Sequence, residues 1–355
     1  LIWLKAFAAG WRALPSSRIP AMSASRPAVS RRSFLLVPLL GPALAACVPS
    51  EAMVSPFTGP ADASAFGKEP QLLVATTRKP TGDRPPYFGS DRGSGLTFAE
   101  ARLSAPGRGV AAQVSSVVSG DWAVLGVQRR NSGDAARVFA EAANGRDVLL
   151  YVHGYNETFE SSARSAGQLS HALAFDGRTA LFTWPSGGGL LAYAYDRESA
   201  LWSRDGFVQT LKALVANPIA GRVHIVAHSM GTFLALEGLR ELRDLPGFTD
   251  RIGSVVFASP DVDIDAFEQT VSKLGPIARR MTVIIDPGDR ALAVSSRIAG
   301  GVARAGAADR ERLEGLGVRV ADTAGRGWSM LRHDLFLSDS EVTQVVRRAI
   351  DRAGG

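Results

Sequence analysis

Seven short, nearly unbroken apolar runs constrain this chain more than any other feature. They are "QLLVATT" (71–77), "DVLLYVH" (147–153), "RTALFTW" (178–184), "RVHIVAH" (222–228), "IGSVVFA" (252–258), "MTVIIDP" (281–287) and "GVRVAD" (317–322). Strands that are apolar on both faces, without alternation, belong to parallel sheets covered on both sides. Amphipathic stretches suited to helices lie between them at 157–174, 196–216, 231–244 and 263–274, and a last one at 338–353 opens with a capping Ser or Asp and a first-turn Glu. Alternation of strand and helix predicts an α/β architecture, a doubly wound and mostly parallel sheet with helices on both faces. Residues 85–135 read as extra antiparallel or irregular elements ahead of the main sheet. At 355 residues and 46% hydrophobic, the chain has material for one large core or two modest ones.

The net charge of +6 does not belong to that domain. Six of the 40 basic residues (Lys5, Arg12, Arg18, Arg26, Arg31, Arg32) fall within residues 1–46, which hold no acid, so 34 basic residues face 34 acidic ones from Cys47 onward. Binding to nucleic acid rests on phosphate neutralisation by a basic surface, and this balance excludes it as an expectation. Residues 30–47, "SRRSFLLVPLLGPALAAC", pair two arginines with a 13-residue apolar run (Phe34–Ala46) that is too short to span a bilayer and is broken by Pro38 and Pro42. The segment resembles a twin-arginine export signal ending in a lipobox, Leu44-Ala45-Ala46-Cys47. By that resemblance residues 1–46 are an export signal of a bacterial lipoprotein, with Met22 as a possible true start. Cys47 then carries the lipid that holds the protein to the membrane of the cell envelope, facing the periplasm or exterior; the alternative is an ordinary cleaved signal with a buried or idle lone cysteine and a secreted or periplasmic protein. Residues 47–70, rich in Pro, Ser, Ala and Gly, read as the lipidated cysteine and its tether, and 71–355 as the folded domain.

The chemistry centres on Ala227-His228-Ser229-Met230-Gly231, at the end of one predicted strand and the start of a predicted helix. A nucleophile elbow, G-x-S-x-G, needs small residues two before and two after its serine because strand and helix backbones meet in a sharp turn. Ala227 adds only a methyl group at the first of these positions. A serine here is also a favoured helix cap. A serine nucleophile requires a base, and of the five histidines (153, 171, 224, 228 and 333) only His333 follows Ser229, as the order Ser, acid, His demands. For the acid, "IIDPGDRAL" offers Asp286 and Asp289 and "ASPDVDID" offers Asp261, Asp263 and Asp265; Asp289 is preferred and Asp261 is the alternative. Two backbone N–H groups are needed for the oxyanion, from Met230 and from Tyr155 in "LLYVHGYNETF". "WPSGGGLLAYAYD" (184–196) is expected to line the acyl side of the cleft. No paired-cysteine metal site or phosphate-cradling loop is present in the sequence, so neither a metal nor a cofactor is implied.

From about residue 70 to 350 the chain resembles the bacterial alpha/beta-hydrolase family known as domain of unknown function 900. The resemblance rests on "ATTRKP" (75–80), "VHGYNETF" (152–159), "FTWPS" (182–186), "AYDRESA" (194–200), "VHIVAHSMGT" (223–232), "ASPDVD" (258–263), "DRALAVS" (289–295) and "RHDLF" (332–336), in that order. It implies the hydrolase fold and Ser229, Asp289 and His333 as the triad, and no particular substrate. The expected function is therefore a serine hydrolase of a small-molecule or lipid ester or thioester, acting through an acyl-enzyme. The alternatives are acyl transfer by the same residues and a non-catalytic envelope lipoprotein that binds a lipid, glycan or protein.

Overall fold

The apolar runs pair as their composition requires. The computed structural model describes residues 70–105, 122–130, 135–143, 145–187, 192–217, 221–323 and 340–354. The expected export signal, Cys47, the tether up to residue 69, Leu190, Leu191 and His333 lie outside the described residues. Nine described strands form one sheet: β1 (Gln71–Pro80), β2 (Phe88–Ser104), β3 (Ala123–Arg130), β4 (Val148–Val152), β5 (Arg178–Thr183), β6 (Val223–His228), β7 (Ile252–Ala258), β8 (Met281–Ile285) and β9 (Arg319–Asp322), in the order β3-β2-β1-β5-β4-β6-β7-β8-β9. Pairings from β1 to β9 are parallel, whereas β2 runs antiparallel to both β1 and β3. The extra elements expected within 85–135 are thus an antiparallel extension of the main sheet. The sheet is mostly parallel with helices on both faces, the α/β architecture expected from the sequence.

Period-two geometry divides the buried strand residues between two cores. Val148, Leu150 and Val152 face one side and Leu149 and Tyr151 the other. On the first side lie α1 (Ala135–Glu141), α3 (Tyr193–Trp202), α4 (Arg204–Ala216), α5 (Gly231–Leu242), α6 (Phe248–Arg251) and α7 (Ile264–Val271), through residues such as Phe139, Ala200, Phe207, Leu234, Phe248 and Phe267. On the second lie α2 (Phe159–Leu173) and, in chain order after α8 (Arg290–Ile298) and α9 (Arg310–Glu314), α10 (Ser340–Gly354), through Phe159, Ala163, Ala166, Val342 and Val346. Among the described residues no helix is long and apolar enough to cross a membrane.

Three local expectations need correction. The stretch 196–216 is two helices, because the Ser203 hydroxyl bonds the Ser199 carbonyl at 2.7 Å and the Thr77 hydroxyl at 2.8 Å, breaking the rod where it meets β1. The stretch 263–274 is helical only over Ile264–Val271, and a 3-10 turn at Gly275–Arg280 with Pro at its start follows. The segment after β8 holds a helix that the periodicity did not predict, α8, opened by Asp289.

The order of strands also fixes where a ligand can sit. From β4 the chain crosses through α2 to β5 on one side, and from β6 through α5 to β7 on the other, so the carboxyl ends of the adjacent strands β4 and β6 flank a topological switch point. Ligands of open α/β sheets bind in the crevice at that position.

Candidate active site

Ser229 occupies the turn between β6 and α5 with φ of 50°, the left-handed region that costs a side-chain-bearing residue about 1–2 kcal/mol. Backbone bonds on both sides hold it there. Its N–H donates to the Ala258 carbonyl of β7 at 2.9 Å, and its carbonyl accepts from Thr232 at 3.1 Å and Asp261 at 3.2 Å. Gly231 is obligatory, because a Cβ there would lie 2.3 Å from the His153 carbonyl oxygen and 2.8 Å from that of Val152. Gly231→Ala is expected to cost about 2–4 kcal/mol, since the obstacle is backbone and not a movable side chain. Chemical denaturation checks this, and a cost below about 1 kcal/mol means that the elbow does not press on β4 as described.

The loop after β4 lies directly against the elbow. A Cβ on Gly154 would come within 3.0 Å of the Ser229 Cβ and 2.9 Å of the His228 Nδ1. His153 stiffens this loop. Its Nε2 accepts from the Trp184 backbone N–H at 3.0 Å, so the ring proton sits on Nδ1 and is donated to the Gly154 carbonyl at 2.8 Å. The Trp184 indole N–H returns a bond to the His153 carbonyl at 3.1 Å, and the two rings stack at 4.9 Å. Burial, then the nearby Arg78 cation, holds the His153 pKa well below its ordinary 6.5.

Burial also lowers the pKa of His224, inside β6. A histidine so depressed takes up protons less readily folded than unfolded. The stability it contributes is present above about pH 6.5 and is lost as pH falls toward the folded value. The melting temperature is expected to drop between about pH 7.5 and 5.5, less steeply in His153→Gln. A wild-type profile that is flat or rises toward acid is the contrary result.

Beneath the loop lies a buried polar assembly that the sequence did not reveal. Arg78, at the end of β1, is 1% exposed, and its guanidinium donates to the Glu157 carbonyl (2.6 Å), the Gly89 carbonyl (3.2 Å) and the Thr183 hydroxyl (2.8 Å). Burial lowers its pKa to about 10 against the opposing pull of Glu157, Asp196 and Glu160. Asp196, in the first turn of α3, accepts from the Asn156 N–H at 3.2 Å, the Gly187 N–H at 2.6 Å and the Ser186 hydroxyl. It therefore ties the loop after β4 to the loop after β5, and burial raises its pKa despite those bonds. Asn156 takes φ of 61°, so the Tyr155-Asn156 turn has a fixed shape. The Tyr155 ring stands 5.6 Å from that of Tyr193.

The two candidate acids occupy different settings. Asp261 follows β7 and is buried with Arg304, whose Nε lies 3.2 Å away without hydrogen-bond alignment. The carboxylate also accepts from the Tyr193 hydroxyl at 3.0 Å and the Ser295 hydroxyl at 2.5 Å. Asp289 follows β8 and caps α8, its Oδ1 accepting from Ala291 at 2.8 Å and Leu292 at 3.3 Å. Asp286, in the same turn, accepts from Gly288 at 2.9 Å. Of the residues expected in the site, the structure gathers Ala227, His228, Ser229, Met230 and Gly231 at the elbow and brings the His153-Gly154-Tyr155 loop against it. Asp261 stands one strand away and Asp289 two. His333 falls in the chain between β9 and α10, outside the described residues.

No curated protein matches the chain. Solved structures that are similar to it include Est1E from Butyrivibrio proteoclasticus, 11% identical, with a TM-score of 0.41 over 72% of this chain and 95% of that one. Another is a predicted CIB-like hydrolase from Thermoplasma acidophilum, 16% identical, with a TM-score of 0.36 over 72% of this chain and 92% of that one. A third is the carboxylesterase CesB from Bacillus subtilis, 12% identical, with a TM-score of 0.38 over 82% of this chain and 94% of that one. Residues 133–349, which contain the elbow and every strand from β4 to β9, match the family described as "Alpha/beta hydrolase of unknown function (DUF900)", and the chain belongs to that family.

Proposed function

We infer that the protein is a serine hydrolase that cleaves carboxylic esters or thioesters through an acyl-enzyme. The observation that carries this reading is the left-handed φ of 50° at Ser229, held at a strand-to-helix turn against the Gly154 loop. Strain of this kind persists only where surrounding structure over-determines it, and here the Ala258, Thr232 and Asp261 backbone bonds and the Gly154 loop do so. In the proposed reaction His333 accepts the Ser229 hydroxyl proton as Oγ attacks the acyl carbon. The Met230 and Tyr155 N–H groups hold the oxyanion, a contribution of about 10²–10³ in rate per donor. Collapse of this intermediate expels the alcohol or thiol, protonated by His333. Water, deprotonated by His333, then attacks the acyl carbon, and the carboxylic acid leaves Ser229.

Asp289, which caps α8 through its Oδ1, is assigned to orient His333. The order of elements supports this choice, since the segment holding His333 follows β9, the strand paired with β8. Asp261 is less suited: its carboxylate serves Arg304, Tyr193 and Ser295. The Arg78 and Asp196 assembly is assigned the work of presenting the Tyr155 N–H.

A series of p-nitrophenyl esters and acyl thioesters of increasing chain length tests the reading. Wild type is expected to release p-nitrophenol with an initial burst that matches the enzyme concentration, and free acid as the product. Acyl transfer to an added alcohol in place of water redirects the reading to a transferase. No turnover on any member, with the protein folded, contradicts it.

A further inference from the structure

A second site lies at the amino-terminal ends of the strands, the face opposite the elbow. A cavity of about 310 Å³ opens there between the sheet and the end of α10, lined by Arg222, Arg279, Arg280, Arg319 and Arg352 together with Gly253, Thr282, Ala349 and Ala353. Small residues of α10, Ala349 and Ala353, border the space, and Gly253 of β7 lines it. Arg222 precedes β6 by one residue, so the cavity stands about 20 Å from Ser229 by strand rise alone.

Five arginines line this space, and among the described residues no acid lines it. Among the described residues none of the five is in an ion pair within 4.0 Å. Two acids adjoining lining residues are turned to other partners or stand outside the lining. Asp147 accepts from the Arg222 backbone N–H at 2.7 Å and faces His224 at 3.4 Å, while Asp351 acts on Arg352 without lining the cavity. Two of the arginines are held in place by main-chain carbonyls, Arg280 through Nη1 on Thr249 at 2.6 Å and Arg319 through Nη1 on Arg279 at 2.5 Å. The Thr282 hydroxyl, on a lining residue 3% exposed, has no hydrogen-bond partner among the described residues. A threonine hydroxyl beside arginine residues is able to donate to an anion.

We propose that this cavity binds a phosphate group, with Arg319 and Arg352 as its principal charge partners and the Thr282 hydroxyl as its buried donor. Guanidinium forks match phosphate oxygens in pairs, and a doubly charged group relieves repulsion among the arginines that a single carboxylate leaves largely in place. The volume accommodates a phosphate with part of the molecule that bears it, at the low end of ligand pockets. This site is independent of Ser229 chemistry, and its failure leaves the hydrolase reading untouched.

The test is calorimetric titration of the full-length chain with inorganic phosphate at constant ionic strength, beside Thr282→Val and the double variant Arg319→Ser/Arg352→Ser. Wild type is expected to bind one phosphate saturably, with affinity lowered about tenfold or more in the double variant. In Thr282→Val, which is isosteric and keeps the fold, affinity is expected to fall by about threefold to tenfold. Absence of saturable binding, or equal binding by wild type and Thr282→Val, overturns the proposal. Sedimentation with phosphatidylglycerol vesicles, but not with phosphatidylcholine vesicles, that free phosphate reverses identifies a lipid headgroup as the source. Phosphate binding without sedimentation identifies a soluble phosphate, and either source supports the site.

Discussion

Ser229→Ala is expected to lower the turnover of an activated ester by about 10⁴-fold or more while the protein stays folded. The nucleophile and its base act as a unit, so losing one removes nearly the whole effect of both and leaves only binding and oxyanion stabilisation. The elbow adds a second and independent consequence. Because Ser229 sits at φ of 50°, Ser229→Gly removes the side-chain strain that Ser229→Ala retains. The glycine variant is expected to be as inactive as the alanine variant yet more stable than it by about 1 kcal/mol, or about 2–4 °C in melting temperature. Activity lost in step with helicity in both variants means that the serine serves the fold and not the chemistry.

The two aspartates are expected to separate cleanly when each is changed to Asn. Asp289→Asn keeps a good helix cap, because Asn accepts the Ala291 and Leu292 N–H bonds nearly as well as Asp, so stability changes by about 1 kcal/mol or less. An amide, however, neither fixes the tautomer of His333 nor stabilises its cation, and kcat is expected to fall about 10⁴-fold. Asp261→Asn does the reverse. It leaves Arg304, a cation whose side chain is 1% exposed, without its counter-charge, and is expected to cost about 3–5 kcal/mol. The folded fraction of that variant is expected to retain kcat within about tenfold of wild type. Measured as kcat beside denaturation midpoints, a fall in activity confined to Asp261→Asn reassigns the acid.

The sheet was legible because its signal is local. Runs such as "VLLYV" and "VHIVAH" carry enough aliphatic side chains to cover both faces, and all seven predicted runs contain observed strands. The elbow was legible for a related reason: two small residues two positions either side of a serine are a steric requirement written within five letters, and Gly231 against the His153 carbonyl shows the requirement at work. Tertiary pairing was not legible. Arg78 reads as the polar end of a strand, and nothing nearby in sequence indicates that Glu157 and Thr183 receive its guanidinium in the interior. Asp196 lies on a helix whose periodicity runs past it, yet its bonds reach Asn156, Ser186 and Gly187 in two separate loops. The break at Ser203 has no sequence signal either, since it depends on Thr77 of β1 meeting the hydroxyl. Among the acids, "ASPDVD" and "DPGD" look equivalent as turn chemistry. The ion pair of Asp261 with buried Arg304, which sets the two apart in the structure, has no signal in the sequence.

The central claim, that Ser229 is the nucleophile, is tested most directly by mass spectrometry of the intact protein after exposure to a fluorophosphonate. The expected result is one phosphonyl adduct per chain, mapped to the peptide containing Ala227-His228-Ser229-Met230-Gly231 and absent from Ser229→Ala. An adduct of equal yield in Ser229→Ala, or none in the folded wild type, contradicts it.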